Sequence, residues 1–381
     1  MAMKKYFIIL ILIGIMAVMG GFFAVDRESF DSSNSRESAP LPKIKRIILI
    51  SADILRVDHL GYYGYPINTS PFLDGLSKKS LNFKNAFANI SLSVPSDATI
   101  FTSLYPLQHK VFSDYMMLDE SFLTMAELLK ENGFKTAALV GSEHFKYSNI
   151  LQGFDKIDVP TGLRSADKTI DSALDWIRQN GENDRIFLWM HFYDLNKQFD
   201  ASPQYRNLIN SDLEKIGKDA FFDSLVKSGK SSLSCTKGDP QVKSAYFQQT
   251  PQELADLIIK YDAKVRFLDD QIKRFYQSLE DEGLLDGETL LIFTSEHGDG
   301  LCSHSYFSHG FFIYNEQLHV PLLLNFPGRD HSTAIENTVE HIDILPTVAE
   351  LTNVSLRQTK PIQGISLSPF FDGSKDPDFP V

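Results

Sequence analysis

Cysteine is scarce in this chain, which has only Cys235 and Cys302 among 381 residues. A framework of disulfide bonds therefore does not hold the fold together. We expect two unrelated buried or free thiols, with a single bridge between them as the alternative.

Positive charge is also in short supply. The 37 lysines and arginines are outnumbered by 49 aspartates and glutamates, which gives a formal net charge of −12. Because phosphate backbones bind to basic surfaces, this balance excludes nucleic acid as the main partner. It leaves room for a small anionic substrate that is held by a metal ion. The 43% hydrophobic and 23% charged residues are typical of a globular protein.

The longest apolar run lies at the N-terminus, in residues 1–25. Lys4 and Lys5 precede apolar residues that continue to Val25, about the length needed to span a bilayer. The segment predicts a membrane anchor, with a cleaved signal segment as the alternative. The two lysines before it predict that the chain after residue 25 lies outside the cytoplasm. Residues 26–45 are rich in Ser, Asp, Glu and Pro and predict a flexible linker.

No internal repeat follows the linker, and residues 46–375 predict one catalytic domain. Buried-strand patterns alternate with amphipathic helices, which is typical of an α/β fold with a mostly parallel central sheet and helices on both faces. Residues 205–249 fit this alternation poorly and predict an insertion near the site. The predicted strands are RIILISAD (46–53), KTAALVGS (135–142), RIFLWMHFYD (185–194), TLLIFTSEHGD (289–299) and HVPLLLNFPG (319–328), and the predicted helices are FLTMAELLKENGF (122–134), TIDSALDWIRQN (169–180) and the amphipathic stretch 251–283.

Several of these strands finish in side chains that bind metals or transfer protons. Asp53 ends the first strand, His191 lies near the end of another, and Glu296 and His297 follow a third. In open parallel sheets the ligand site lies beyond the carboxyl ends of the strands. We therefore expect these side chains to converge, although they are far apart in sequence.

The segment SEHGDGLCSHSYFSHG, residues 295–310, is dense in ligating side chains. It holds three histidines and two carboxylates in sixteen residues. Oxygen and imidazole ligands together suit a divalent cation such as Ca, Mn or Zn. A solvated polar loop is the alternative.

A third segment, ISLSVPSDATIFTSLYP, surrounds Ser93 with hydroxyl residues and Pro95. Proline suits the first turn of a helix, whose N-terminus favours an anion. Ser93 could simply cap this helix. As a nucleophile, it would need activation, which a metal ion held by Asp53 and Glu296 would supply.

From about residue 47 to residue 373 the chain resembles the sulfatases of the alkaline phosphatase superfamily. The resemblance lies in four segments that match in order and spacing. They are SADILRVDHLGYYGYPINTSPFLDGL, SVPSDATIFTSLYPLQH, TSEHGDGLCSHSYFSHGFFIYNEQLHVPLLL and EHIDILPTVAEL.

The resemblance implies a metal site and a nucleophile. Asp53, Glu296 and His297 match the family's ligands of a divalent metal ion, and Ser93 matches its nucleophile position, which also contacts the metal. Calcium is the family precedent, while a histidine ligand is more usual for Mn or Zn. In sulfatases this nucleophile position is oxidised to formylglycine, and in the phosphoesterase relatives the hydroxyl itself attacks phosphorus.

Three histidines match further active-site positions of the family. His304 and His309 resemble residues that hold the ester oxygens or protonate the leaving group. His191 matches a strand-end segment of the active site, near Asp194.

The chain departs from the family pattern at three positions. Asp97 stands where the formylglycine signature has arginine, which bears on the maturation of Ser93. Asn196 stands where a histidine is expected. Ile54 replaces the second aspartate of a pair that many sulfatases carry.

These observations predict an exported, metal-dependent hydrolase of sulfate esters. One alternative is a phosphoesterase, phosphodiesterase or phospho-group transferase of the same superfamily, with two metals shared by Asp194, His304 and His309. Another is a catalytically inactive homologue that binds a glycan or a protein. The expected substrate is a sulfated or phosphorylated small molecule, glycan or lipid head group, and the expected location is membrane-anchored outside the cytoplasm, or secreted or periplasmic after cleavage.

Overall fold

An eight-stranded sheet runs through the computed structural model, which describes residues 44–181, 185–196, 200–238, 246–327, 333–356 and 361–372. The strand order in the sheet is β10-β2-β9-β8-β1-β5-β3-β4, and β6 and β7 form a separate hairpin. The strands are β1 (Arg46–Ala52), β2 (Ser80–Phe87), β3 (Lys135–Val140), β4 (Lys156–Asp158), β5 (Ile186–Phe192), β6 (Ser234–Thr236), β7 (Tyr246–Gln248), β8 (Thr289–Ser295), β9 (His319–Asn325) and β10 (Thr333–Glu340).

The centre of the sheet is parallel, as predicted. Strand β1 pairs in parallel with β5 on one side and β8 on the other. Its last residue, Ala52, lies opposite Phe192 of β5 and Ser295 of β8, so the three strands end at one edge. Strand β9 runs antiparallel between β8 and β2. The sheet is therefore mostly parallel, with an antiparallel region towards one side.

Helices cover both faces of the sheet because its central strands are apolar on both sides. In β1, Ile47 and Leu49 join one buried cluster, and Ile48 and Ile50 join the other. This two-sided burial explains the continuous apolar runs of the strands. The α-helices of the described residues are α1 (Pro71–Ser77), α2 (Ser93–Thr102), α3 (Pro106–His109), α4 (Met125–Glu131), α5 (Ala166–Asn180), α6 (Pro203–Ile216), α7 (Lys218–Lys227), α8 (Pro251–Asp281), α9 (Asn315–Leu318) and α10 (Ile344–Leu351).

Helix boundaries follow the capping chemistry of the sequence. Thr124 caps α4 and Thr250 caps α8, and each forms a capping box with the glutamate three residues later. Helix α4 is therefore shorter than the predicted 122–134. Gly133 has a φ of +82°, a conformation that favours glycine and ends the helical segment.

Three strands of the main sheet, β2, β4 and β10, were not predicted from the sequence, and neither were the hairpin strands β6 and β7. Strand β10 lies at the edge of the sheet and alternates exposed with buried residues, and β2 carries Asn82, Lys84 and Asn85 among its apolar residues. Neither has the continuous apolar run that marks the central strands.

The insertion predicted at 205–249 folds into α6, α7 and the hairpin of β6 with β7. Cys235 of β6 forms a disulfide bond with Cys302, which lies in the histidine-rich segment. The expectation of two unrelated thiols was therefore wrong. Both cysteines are buried, and the bridge joins positions that are 67 residues apart in the chain.

The predicted anchor at 1–25 and nearly all of the predicted linker at 26–45 lie outside the described residues. Within the described ranges, no helix combines the length and apolar character needed to cross a membrane.

Candidate active site

The side chains predicted at the strand ends meet at one edge of the sheet. Asp53 follows β1 and donates its backbone N–H to Phe192 of β5, at 2.8 Å. Glu296 follows β8 and donates its N–H to Ala52 of β1, at 3.1 Å. The backbones of three adjacent strands therefore hold the first residues beyond their ends in fixed positions.

Asp53, Glu296 and His297 form a group with the spacing of metal ligands, here called the ligand cluster. One ligating atom from each residue lies within 4.8 Å of the others, and all three side chains are buried. His297 Nε2 lies 3.5 Å from Asp53 Oδ1. Of the residues that the structure describes, this is the one group of three or more acidic, histidine or cysteine side chains with such spacing.

Ser93 completes the cluster. It is the first residue of α2 and is 5% exposed. Its Oγ lies 3.3 Å from Asp53 Oδ1, to which it donates a hydrogen bond, and 3.3 Å from His297 Nε2. The N-cap position belongs to Leu92, which has no capping side chain. The hydroxyl of Ser93 therefore faces two ligating side chains instead of capping the helix.

Electrostatics explain why these residues suit a cation. Burial and the neighbouring Glu296 raise the pKa of Asp53 to about 6. Burial opposes ionisation of Glu296, but His191 outweighs it and lowers the pKa of Glu296 to about 2. Burial and the neighbouring His309 lower the pKa of His297 to about 4, which leaves its imidazole neutral near pH 7. A neutral imidazole beside two close carboxylates is the donor set that a divalent cation requires.

The hydrogen bonding of Glu296 is further evidence that a cation fits this site. Its Oε1 accepts from Ser51 Oγ at 3.1 Å, but its buried Oε2 has no hydrogen-bond partner among the described residues. Buried carboxylate oxygens are costly when unpaired. The residues present therefore fit a divalent metal ion at the ligand cluster.

His191 lies behind Glu296 and orients it. Its Nε2 lies 2.8 Å from Glu296 Oε1, and its Nδ1 accepts from the backbone N–H of Gly141 at 3.4 Å. The side chain is fully buried. Its position suits the support of a metal ligand better than contact with a substrate.

His309 and His304 lie in different surroundings. His309 Nδ1 is 3.0 Å from Asp299 Oδ1, and the His309 ring centre is 4.6 Å from that of His297. His304 is about half exposed, pairs with Glu316 at 2.7 Å and stacks on Tyr314. The structure brings His309 to the cluster and leaves His304 on the surface.

The second metal considered from the sequence has no assembled site. Asp194 Oδ1 accepts from the backbone N–H of Ala166 at the start of α5, at 2.9 Å. Within the described ranges, Asp194, His304 and His309 do not form a group with metal-ligand spacing.

Arg56 connects the two segments that carry the ligand cluster, a role that was not predicted from the sequence. Its guanidinium forms a bidentate pair with Asp58 and donates to the carbonyls of Asp299 and Gly300, at 3.2 and 2.9 Å. A side chain at Gly300 would collide with the carbonyl of Tyr306, because a Cβ there would lie 2.2 Å from that oxygen. In the sequence, the only indication of this role was an arginine three residues after Asp53.

The histidine-rich segment folds tightly beyond Gly300. Leu301, Cys302, His304 and Ser305 all have positive φ angles, which non-glycine residues rarely adopt. The disulfide bond to Cys235 and the hydrogen bond from Phe307 N–H to the Thr236 carbonyl attach this segment to the insertion. The insertion therefore supports the strained segment that precedes His309.

Two departures from the family pattern lie at the site. Asn196 donates its side-chain N–H to Asp53 Oδ2 at 3.1 Å, so it supports a ligand where a histidine was expected. Asp97 is fully buried, and neither carboxyl oxygen has a hydrogen-bond partner among the described residues. Burial, reinforced by Glu296 and Asp114, raises the pKa of Asp97 well above its usual value. A neutral acid therefore replaces the arginine of the formylglycine signature.

His341 was also missed. This buried residue precedes α10 and lies 3.0 Å from Ser96 Oγ and 3.3 Å from Thr294 Oγ1. Ser96 in turn donates to the carbonyl of Glu296 at 2.7 Å. His341 thus joins α2, which begins at Ser93, to β8, which leads into Glu296.

The mostly parallel eight-stranded sheet with helices on both faces is the sulfatase- or alkaline-phosphatase-like α/β fold. The sulfatase family profile matches residues 45–354. This chain belongs to the sulfatase family.

Curated relatives are similar over most of the chain. Arylsulfatase K of Xenopus laevis is 25% identical over 80% of this chain and 62% of its own length. The ulvan-active sulfatase of Formosa agariphila is 24% identical over 91% of this chain and 68% of its own length. The chain thus spans less than two thirds of the length of the frog protein.

Solved structures share the fold. The phosphonate monoester hydrolase of Agrobacterium radiobacter matches with a TM-score of 0.70 and 19% identity, over 88% of this chain and 78% of that one. A protein solved in complex with its substrate D-glucosamine-2-N,6-O-disulfate matches with a TM-score of 0.67 and 19% identity, over 87% of this chain and 80% of that one.

Proposed function

We propose that this protein is a metal-dependent hydrolase of sulfate esters in which Ser93 occupies the nucleophile position. The observation that carries the proposal is the placement of Ser93 Oγ at 3.3 Å from both Asp53 and His297. A hydroxyl at this distance from two ligating side chains is positioned for activation. Family membership and the sulfatase relatives support sulfate as the ester group.

Asp53, Glu296 and His297 would hold the metal ion, with Ser93 beside it. When bound, a divalent cation would supply positive charge for the ester oxygens and for the nucleophile. Calcium is the family precedent, and Mn or Zn also suits the histidine ligand. Asn196 holds Asp53 and His191 holds Glu296, so that both carboxylates keep their orientation.

His309 is placed to act as the proton donor. Ser93 Oγ gives up its proton to solvent and forms a bond to sulfur, while the bond between sulfur and the ester oxygen breaks and the leaving oxygen takes a proton. Asp299 holds Nδ1 of His309 and fixes the direction of the imidazole. Its ring lies next to the ligand cluster, within reach of a leaving group there. Water then attacks the sulfur, the bond between sulfur and Ser93 Oγ breaks, Oγ regains a proton and sulfate leaves.

Phosphate esters are the second candidate. The observation that favours them is Asp97, because its neutral carboxyl replaces the arginine that helps to direct formylglycine formation in sulfatases. An unmodified serine is the nucleophile of the phosphoesterase relatives. The fold alone is shared with a phosphonate monoester hydrolase.

We also propose that the catalytic domain lies outside the cytoplasm. The Cys235–Cys302 bridge supports this location, because structural disulfides persist in oxidising compartments. The predicted N-terminal anchor or signal segment supports it independently.

The deciding experiment is a paired hydrolysis assay of the full-length protein, purified in detergent, with Ca, Mn or Zn added. Aryl sulfate, aryl phosphate and bis-aryl phosphate are compared in the wild type, in Ser93→Ala and in the exposed control Ser121→Ala. Sulfate turnover that falls at least about 10³-fold in Ser93→Ala alone supports the proposal.

The other outcomes decide between the alternatives. Loss of phosphate or diester turnover in the same variant would replace sulfate by phosphorus chemistry. No turnover of any ester, with metal bound, would favour an inactive homologue that binds a glycan or a protein. Peptide mass spectrometry of the segment around Ser93 shows directly whether the serine has become formylglycine.

A further inference from the structure

Exposed apolar side chains are concentrated on two loops. The first flanking loop is residues 112–117 and the second flanking loop is residues 310–314. Tyr115 is 99% exposed and Ile313 is 82% exposed. Large apolar side chains that face solvent together mark a binding surface more often than isolated ones do. The exposed apolar residues of the two loops are Phe112, Tyr115, Met116, Met117, Phe311 and Ile313.

The first flanking loop is fixed beside the nucleophile. Asp114 Oδ1 accepts the backbone N–H of Val94, the residue after Ser93, at 3.0 Å. This bond fixes Asp114 at the start of α2, beside Ser93, and Tyr115 follows Asp114 directly in the chain.

The second flanking loop is fixed to the residues that precede Ser93 in the chain. Ser91, two residues before Ser93, accepts from the N–H of Gly310 at 3.2 Å and donates to the carbonyl of Phe312 at 3.1 Å. Gly310 packs so closely on Leu92 that a Cβ there would lie 2.7 Å from the leucine side chain. The loop also continues directly from His309.

Neither flanking loop carries a positively charged residue. Residues 112–117 read FSDYMM and residues 310–314 read GFFIY, so neither contains lysine or arginine. A densely sulfated or phosphorylated chain would need cations beside the site to hold its other anionic groups. Apolar rings and methionines suit instead an uncharged organic group.

From this arrangement we infer that the two flanking loops bind the apolar organic group of the substrate, an aryl or alkyl group attached to the ester that Ser93 attacks. The inference rests on the function proposed above and narrows its substrate class. Ester recognition belongs to the buried polar cluster, and the flanking loops select the organic group by the apolar surface that it buries.

The test measures binding, so that it does not depend on turnover. Sulfonates, whose carbon–sulfur bond is not hydrolysed, are titrated calorimetrically into the metal-loaded full-length protein at one fixed detergent concentration. The probes are methanesulfonate, naphthalene-2-sulfonate and glucose 6-sulfonate, with the corresponding phosphonates as a parallel series. The Kd of the naphthalene compound is expected to be at least about tenfold lower than that of the other two.

A double variant in the second flanking loop, Phe311→Ser with Ile313→Ser, should remove this preference, as should Tyr115→Ser in the first. A matched control, Leu208→Ser with Ile216→Ser, replaces two exposed apolar residues of α6 and should keep it. All variants should retain the affinity for methanesulfonate, which shows that the ligand cluster is intact.

Equal affinity for the naphthalene and glucose compounds in both series would overturn the inference. So would concentration-dependent dimerisation that the flanking-loop variants abolish, since the surface would then bind a second copy of the chain. A preference seen only with the phosphonates would support the flanking loops and count against sulfate as the ester group. Failure of the proposed function and failure of this inference are therefore distinguishable.

Discussion

The ligand cluster and the flanking loops, which both adjoin Ser93, are built in opposite ways. Asp53, Glu296 and His297 are at most 1% exposed, whereas Tyr115 and Ile313 are almost fully exposed. The cluster is charged and held by the backbones of adjacent strands, and the loops are apolar and held by bonds to Ser91 and Val94. Chemistry that requires fixed distances thus lies on the rigid sheet.

The difference has a physical reason. A metal ion tolerates only small changes in ligand distance, and neighbouring parallel strands fix such distances through their ladders of hydrogen bonds. Selection of an organic group requires buried area and little directional precision, which exposed loops can supply. The predictions below test this division, beginning with the cluster.

The largest effect is expected from Glu296→Gln. The amide keeps the size of the side chain but removes one negative charge from the metal site. We expect metal affinity to fall at least about 100-fold and turnover to fall about 10³-fold, measured by calorimetry and by initial rates. Glu316→Gln, which alters a carboxylate that pairs with the exposed His304, is the matched control. Unchanged metal binding in Glu296→Gln would place the metal elsewhere.

The disulfide bond connects the two kinds of region, and its removal should reduce the stability of the whole domain. Loss of a bridge between positions 67 residues apart corresponds to about 4 kcal/mol of unfolding free energy. The variant Cys235→Ala with Cys302→Ala is compared with the wild type by denaturant unfolding.

Reduction of the wild-type protein by dithiothreitol should lower its stability by a similar amount, which controls for the altered side chains. An unchanged midpoint in both experiments would mean that hydrogen bonds such as that from Phe307 to Thr236 suffice to hold the insertion in place.

Acid should lower the free energy of unfolding through His341, whose hydrogen bonds connect α2 to β8. Burial lowers the pKa of His341 to about 4, so the unfolded chain binds a proton that the folded protein excludes. Its contribution to stability therefore decreases as the pH falls from about 6.5 to about 4, by about 3 kcal/mol. Unfolding measured between pH 7 and pH 4 should show a shallower decrease in His341→Gln than in the wild type. The exposed His304→Gln is the control, and an equal decrease in all three proteins would exclude His341 as the cause.

The smallest effect is expected from Asp97→Asn. Burial and nearby carboxylates keep this side chain neutral, so an amide of the same shape should change kcat/KM by less than about threefold. A fall of 100-fold or more would show instead that an ionised Asp97 takes part in the reaction. Such a result would assign part of the chemistry to Asp97, which stands where the family pattern has arginine.

The sequence predicted much of the site because strand ends can be recognised locally. Asp53, Glu296 and His297 each follow an apolar run, and parallel strands bring such positions to one edge. Continuous apolar runs likewise marked β1, β5 and β8. Strands β2 and β10 escaped prediction because they carry polar residues within the strand, and β4, β6 and β7 because each is only three residues long.

Side-chain direction in the irregular segments was beyond prediction. His304 and His309 are five residues apart and looked equivalent, yet one pairs with Glu316 on the surface and the other with Asp299 beside the cluster. Positive φ angles from Leu301 to Ser305 turn the chain between them, and no periodic pattern announces such angles. Asn196 was noted as a departure, but its bond to Asp53 could be seen only in the folded chain.

By itself, the sequence determined the fold class, the positions of the central strands and the residue types available for a metal site and a nucleophile, because these depend on local apolar patterns and on composition. The tertiary structure alone decided which histidine joins the cluster, how Arg56 and His341 support it, that Cys235 meets Cys302, and that apolar loops flank Ser93. These features depend on contacts between segments that are distant in the chain, and the free energy of such contacts exists only once the sheet has brought the segments together.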